Sequence, residues 1–393
     1  MINNHFLKYL GLFIGLNILL YLFIYFFHDR VPFNYHNYEK NAHHYFPDPQ
    51  YENGQFDLLR SLGQYDAQWY LKIAETGYPT FPHITYQNDK SQMEGLSYAF
   101  FPLYPIIVSF LNIFFSDIEI SAFVFSNLLL IANFISIYIA ISKIYSSNLA
   151  VKTAFLLLLS PLSIFFRSYF SEGLFLFLFI WFTYFLIKNK WILASIALSL
   201  LLLVKPNALF LGFPFIYILF KNFQYTKTHI VKIILSVVLP FLAFSSWLIF
   251  CFFKTGDPFY FISIRSSWFS SDSIFSPFIN NIRQILLFPS LKFHYFHSSQ
   301  IDILFALTTG IIIILSRKKL NYIFWLTTAV LFIGPLLTTD FMSFSRYQIV
   351  SFPLFLFLAQ KLKNTTYYLI VLELFIVGLF WLSLYFVNWH WIG

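Results

Sequence analysis

The chain has 393 residues, of which 59% are hydrophobic and only 11% charged, against about 25% charge in an ordinary soluble domain. Those proportions exclude a water-soluble enzyme, a nucleic-acid-binding domain and a disordered segment. The formal net charge of +8 would suit a polyanionic partner, but in a chain this apolar, orientation in a membrane accounts for basic residues first. The single cysteine, Cys251, rules out an intrachain disulfide and reads as a buried thiol within an apolar run.

In chain order, the first apolar run covers about residues 6 to 27 behind a short N-terminus bearing Lys8. It lacks a small-residue cleavage site and reads as a retained signal anchor. A long polar stretch from His28 to about Tyr98 follows, with nine acids between Asp29 and Glu94 and prolines at 32, 47, 49, 79 and 82. Further apolar runs lie near 99–115, 120–142, 152–166, 172–187, 191–204, 206–220, 233–253, 301–316, 320–338, 347–360 and 366–388. A second sizeable polar loop covers 254–300. The expected fold is all-α: a polytopic transmembrane helical bundle forming one integral membrane domain over 1–393.

Charge counting orients it, because short loops rich in Lys and Arg stay cytoplasmic. If 99–115 crosses the membrane, the basic loops scatter to both sides. If it lies on the outer surface, Lys143 and Lys152, Lys188 and Lys190, Lys221, Lys227 and Lys232, Arg317 to Lys319, and Lys361 and Lys363 all fall inside, with no acid among them. The second assignment gives about eleven spans plus juxtamembrane helices. It places the outer loop 28–119 and the loop 254–300 away from the cytoplasm, and chemistry is expected there. Runs of 14 to 16 residues are short for a hydrocarbon core of about 30 Å, so some are expected to extend or to pair as broken helices.

The most informative stretch runs from Gln64 to Pro79. Asp66 stands where an N-cap belongs, Trp69, Tyr70, Ile73 and Ala74 recur at helical spacing, and Gly77 before Pro79 stops the helix. This predicts a three-turn amphipathic helix at the lipid headgroup level. Asp66 then either caps that helix or serves as a carboxylate at the membrane surface. Downstream, Pro102 and Pro105 in Tyr98-Ala99-Phe100-Phe101-Pro102-Leu103-Tyr104-Pro105 predict an extended entry into a helix. His43-His44 and His294-x-x-His297 match no strong zinc signature. Glu373, alone among the acids, lies within a span, and Arg265, Arg283 and Lys292 read as solvated loop charges.

Asp66-Ala67, Leu71-x-Ile73-Ala74-x-x-Gly77-Tyr78 and then Ala99-Phe100-Phe101-Pro102-x-Tyr104-Pro105 resemble the first lumenal loop of the PIG-V family, the GPI mannosyltransferase 2 family with its bacterial relatives, in the GT-C class of membrane glycosyltransferases. The resemblance continues through Ser160 to Phe175, with weaker echoes at Val204-Lys205-Pro206-Asn207-Ala208 and at Arg346-Tyr347 ahead of Phe352-Pro353. Gln64-Tyr65 precedes the Asp where the family usually has Trp, and Leu103 replaces a common Gly. The resemblance implies an inverting transfer of a sugar, mannose by family, from a polyprenyl-phosphate donor to a lipid, glycan or protein acceptor on the non-cytoplasmic face. It makes Asp66 the general base. An attacking hydroxyl must lose its proton to a carboxylate within reach, and a departing phosphate must be met by fixed cations.

The candidate phosphate-holding cations, at the predicted outer ends of spans, are Arg346, Lys205 and Arg167. Each could instead form a structural ion pair, for instance Arg167 with Glu172 or Arg346 with Asp340. Glu172 could polarise the acceptor or simply belong to such a pair. No cofactor, no metal and no nucleic acid is expected, and the compact loops point to a bacterial inner membrane with the site on its periplasmic side. The competing classes are a transporter or flippase, which would place ionisable groups near the midplane, and a scaffold subunit of a glycan-assembly complex.

Overall fold

The computed structural model describes residues 4–43, 45–80, 95–222, 227–264, 276–287, 299–339, 341 and 343–393. Among them every regular element is helical. A long helix α1 (Asn4–Phe27) leads into short helices α2 (Tyr35–Asn41), α3 (Pro49–Asn53), α4 (Leu58–Leu62) and α5 (Asp66–Thr76). Then come α6 (Leu103–Phe115), α7 (Ile118–Ser142), α8 (Ser147–Leu158), α9 (Glu172–Ile187), α10 (Trp191–Leu202), α11 (Gly212–Lys221) and α12 (Lys227–Thr255). After α13 (Tyr260–Ser263) and α14 (Ser276–Leu286), the chain runs through α15 (Ser299–Ser316), α16 (Tyr322–Thr338), α17 (Phe344–Ile349), α18 (Phe352–Lys361) and α19 (Thr365–Val387).

Among the described residues four helices are long and apolar enough to cross a membrane: Asn4–Arg30, Ile118–Ser142, Ile230–Thr255 and Thr365–Val387. Eight shorter apolar helices of 10–17 residues accompany them. With large apolar side chains such as Phe213, Phe220, Phe241, Phe253 and Val377 turned outward, this is an integral membrane protein. Two stretches of the 254–300 loop, 265–275 and 288–298, which hold Arg265, Lys292 and the His294–His297 pair, lie outside the described residues, as does His44. Within that loop Arg283 is exposed on α14.

Helix ends follow local chemistry. Asp117 and Ser146 accept backbone N–H bonds at the starts of α7 and α8, and Asn364 does the same for α19. Pro102 is the N-cap of α6. The apolar run 152–166 is two pieces: α8 stops at Leu158, and Pro161 starts a 3-10 turn over Pro161–Phe166, because proline cannot continue an i to i−4 ladder. The run 206–220 likewise opens as a 3-10 turn, Pro206–Leu211, before α11. The run 347–360 is broken between α17 and α18 ahead of Pro353. All three breaks lie toward the same end of the bundle as α5.

With little hydrophobic force between helices in lipid, close packing carries the association. Phe13 stacks on Phe134 at 4.8 Å, and Phe134 meets Phe155 edge-on at 5.5 Å, which joins α1, α7 and α8. At Gly334 a Cβ would overlap the ring of Phe210, so α16 meets the 206–211 turn only because no side chain stands there.

The apolar face of helix α5 meets protein rather than lipid. Its Ala67, Gln68, Trp69, Tyr70, Leu71, Ile73 and Ala74 are all buried, packed against α6 and α7. The segment 35–62 covers it: the backbone N–H of His43 donates to Gln68, Tyr45 lies against Trp69, and Arg60 pairs with Glu119 on α7. The aromatic rings meet protein because the polar stretch before α5, read from sequence as loop, folds into short helices over it. The C-terminal stop holds as expected: Gly77 adopts φ +74 and donates its N–H to Ile73.

Candidate functional site

Asp66 is the first residue of α5 and does not cap it. The N-cap is Tyr65, with no side-chain cap bond and with φ +54, a left-handed conformation uncommon for a bulky residue. Tyr65 is pinned there. Its hydroxyl accepts from Asn37 at 2.6 Å, its ring lies 4.9 Å from Trp389 and from Trp391, and the neighbouring Gln64 donates to the Val387 carbonyl at 2.9 Å. Freed from capping, the Asp66 carboxylate instead accepts a hydrogen bond from Arg346.

Glu172 opens α9, where a negative charge suits the helix dipole. The turn is fixed by Tyr70 hydroxyl to Ser171 Oγ at 2.7 Å and by Asn133 donating to the Gly173 carbonyl at 2.9 Å. Lys205 lies in extended backbone between α10 and Pro206, as a residue before proline prefers. Arg346 sits in the short α17, which is anchored where the Ser345 N–H donates to Asp302 at 3.0 Å and Gln348 donates to the Leu331 carbonyl at 3.2 Å.

These four residues from distant parts of the chain form one charged cluster. Arg346 Nη1 donates to Asp66 Oδ2 at 2.7 Å, Arg346 Nε lies 3.5 Å from Glu172 Oε1, and Lys205 Nζ donates to the same Glu172 oxygen at 2.6 Å. The Glu172 side chain is only 1% exposed, whereas that of Asp66 is 28% exposed. Glu172 Oε2 is buried and lacks a hydrogen-bond partner among the described residues. Such an atom is costly to leave unpaired and is positioned to accept from a hydroxyl.

Burial lowers the Lys205 ammonium below the ordinary lysine value, with Arg346 adding to the effect and Glu172 opposing it. Burial acts on Arg346 in the same sense, but there the carboxylates of Asp66 and Glu172 outweigh it, and its guanidinium is held above its usual value. Arg346 is also ringed by aromatic faces, with Trp391 at 4.9 Å, Phe170 at 5.3 Å and Tyr347 at 5.6 Å from the guanidinium carbon.

Arg167 does not join the cluster, nor does it pair with Glu172. It is fully buried and donates to Asn17 Oδ1 at 2.8 Å, to the Ser163 carbonyl at 2.7 Å and hydroxyl at 3.0 Å, and to the Leu158 carbonyl at 2.9 Å. It closes the end of α8, where orphan carbonyls need donors once Pro161 has broken the helix. The alternative partner of Arg346, Asp340, is outside the described residues. Glu373 lies on an exposed side of α19 rather than in the bundle interior. Tyr70, Phe170, Tyr347 and Trp391 frame the cluster. From sequence the first three had a place but no role at the site, Tyr70 on the apolar face of α5 and Phe170 and Tyr347 within the stretches that carry the resemblance. Trp391 was not singled out from sequence.

No family model matches the chain, and no curated protein matches it. Among solved structures, the chain is similar to the apo crystal structure of the oligosaccharyltransferase of Archaeoglobus fulgidus, at 12% sequence identity and a TM-score of 0.41. The match covers 82% of this chain and 52% of the other, so the chain spans about half the length of that structure.

Proposed function

We propose that the protein is a GT-C-like membrane glycosyltransferase that moves a sugar, mannose by family resemblance, from a polyprenyl-phosphate donor to an acceptor hydroxyl with inversion. In this reading the outer loop 28–119 carries the base, and the reaction takes place on the non-cytoplasmic face. The observation that carries it is the Asp66–Arg346–Glu172–Lys205 cluster: two cations and two carboxylates, partly open and partly buried, at one end of an apolar bundle.

Inversion requires an acceptor oxygen to attack the anomeric carbon as the phosphate leaves. The acceptor proton goes to a carboxylate, and the C–O bond to phosphate breaks with its electron pair passing to the phosphate oxygen. Asp66, the more exposed carboxylate, takes the proton. Arg346 holds the phosphate with its planar fork and Lys205 adds a point charge, while Glu172 orients both cations and offers Oε2 to a sugar or acceptor hydroxyl.

A transporter reading would want ionisable groups near the midplane, and Glu373 on the outer side of α19 does not supply one. The test is the purified chain in proteoliposomes with radiolabelled polyprenyl-phosphate mannose and, in parallel, glucose and galactose donors. Formation of free polyprenyl phosphate together with a glycosylated product supports the reading. Sugar flux without product from any donor refutes it.

A further inference from the structure

At the end of the bundle opposite Asp66, three separate loops converge: the one between α7 and α8, the one between α15 and α16, and the one between α18 and α19. The Asn321 N–H donates to the Tyr145 hydroxyl at 2.7 Å, and Lys152 Nζ approaches the Leu362 carbonyl at 3.4 Å. Between the loops lies a cavity of about 550 Å³ whose lining includes Lys152, Lys319, Lys361 and Lys363, the amides of Asn148 and Gln360, and no carboxylate. Among the described residues none of the four lysines is ion-paired.

Orientation in the membrane explains why this end is basic but not why four lysines from three segments, Lys152 on α8, Lys319 after α15, and Lys361 and Lys363 at the end of α18, line one concavity, where their charges repel one another. Lys152 also lies over the ring of Tyr368 at 4.8 Å, and other basic residues of the same end stand over rings outside the cavity. Lys188 lies over the ring of Tyr184, Lys221 over Tyr322 and Arg317 over Trp325, none of them in the cavity lining. The cavity also opens at the N-terminus of the twelve-residue α8, the positive end of its dipole. Phe357 supplies an apolar wall, with the Lys361 ammonium 5.2 Å above its ring. Cations, amide donors and an adjoining apolar surface suit a phosphate diester attached to an acyl body.

We propose that this cavity binds the phosphate of an anionic membrane lipid, at a site separate from the Asp66 cluster. The chain is embedded among such headgroups, and basic pockets between membrane helices are suited to them.

The test is titration of the purified full chain in neutral detergent with dioctanoyl phosphatidylglycerol, dioctanoyl phosphatidylcholine and inorganic pyrophosphate, with bound species counted by native mass spectrometry. Wild-type protein should prefer phosphatidylglycerol to phosphatidylcholine. K319Q/K361Q/K363Q should lose about tenfold or more of that affinity, while K188Q/K190Q/K221Q, with the same change of charge, should lose little. All three cavity positions are exposed. The single variant Lys363→Gln, with a smaller loss expected, tests the site should the triple variant fail to fold. Failure of pyrophosphate to displace the lipid assigns the site to a lipid headgroup. Displacement at matching concentrations makes free phosphate the ligand class and overturns the lipid assignment. Equal losses in the cavity and control variants, or no preference between the two lipids, would overturn the site itself.

Discussion

Replacing Asp66 with Asn separates a proton-accepting role from a merely structural one. The amide is isosteric, and its oxygen can still accept from Arg346 Nη1 across the 2.7 Å contact. What is lost is one negative charge and the ability to take a proton. The structural cost is the difference between a charge-assisted and a neutral hydrogen bond, about 1 kcal/mol, and the 28% exposure of Asp66 keeps it at the low end because solvent screens the pair. The catalytic cost is that of removing a general base, roughly 10²- to 10⁴-fold in rate, or about 3 to 5 kcal/mol of barrier. The two effects differ enough to be read apart. In a proteoliposome assay with polyprenyl-phosphate mannose, D66N should melt within a few degrees of wild type, lose at least about a hundredfold in kcat, and show no rise in donor KM, since Arg346 is relieved of a competing carboxylate. Activity within about threefold of wild type, or a loss lying wholly in donor KM, would refute the assignment of Asp66 as the base.

Arg346→Ala leaves Asp66 and the buried Glu172 sharing a single cation, and breaking a buried pair costs about 3–5 kcal/mol. The variant should melt well below wild type and bind donor more weakly, which a fluorescent polyprenyl-phosphate titration would detect; unchanged donor affinity in the folded fraction would remove Arg346 from the phosphate site. Because burial lowers Lys205, its charge is lost as pH rises through a range below the ordinary lysine value. Donor affinity should therefore fall on that alkaline side, and Lys205→Arg should move the fall to higher pH in a pH profile of donor KM. Arg167→Met removes donors from Asn17, Ser163 and Leu158. It should reduce folded yield and melting temperature while leaving kcat per folded molecule unchanged, as measured by thermal shift and assay of the monodisperse fraction.

Asp66 was legible in the sequence from the helical pattern that follows it and from the family resemblance, whereas Glu172, Lys205 and Arg346 were legible because each is ionisable and borders an apolar run, where charge is expensive without a partner. Arg167 carried the same signal and means something else. Sequence position cannot distinguish a cation whose partner is a substrate from one satisfied by carbonyls of a broken helix. The breaks at Pro161 and between α17 and α18 were visible as prolines and short runs. Their consequence, that the broken ends lie toward the end carrying Asp66, follows only from three-dimensional packing. Trp391 had no signal, because its place beside Arg346 depends on contacts between the two ends of the chain. The burial of α5 was missed for a related reason: a stretch with nine acids and five prolines looks like solvated loop until α2 to α4 are seen folded over Trp69.

The charge balance of the cluster bears on the order of events in the proposed reaction. Two cations and two carboxylates sum to zero, so the resting arrangement is stable without ligand while no member is fully free. A phosphate gripping Arg346 through Nη1, the atom that donates to Asp66, displaces a carboxylate. Of the two, Asp66 is the one that can leave, because it is the more exposed and has Arg346 as its ion-pair partner among the described residues, whereas Glu172 stays bonded to Lys205 at 2.6 Å. Donor binding thus releases the base, and an acceptor arriving first meets a carboxylate already engaged by a guanidinium. Initial-rate kinetics should show ordered binding with donor first. Acceptor affinity, measured by calorimetry, should rise when polyprenyl phosphate occupies the site, and D66N should abolish that rise. Equal acceptor affinity with and without polyprenyl phosphate in the wild-type protein would show that the Arg346–Asp66 bond does not gate the base.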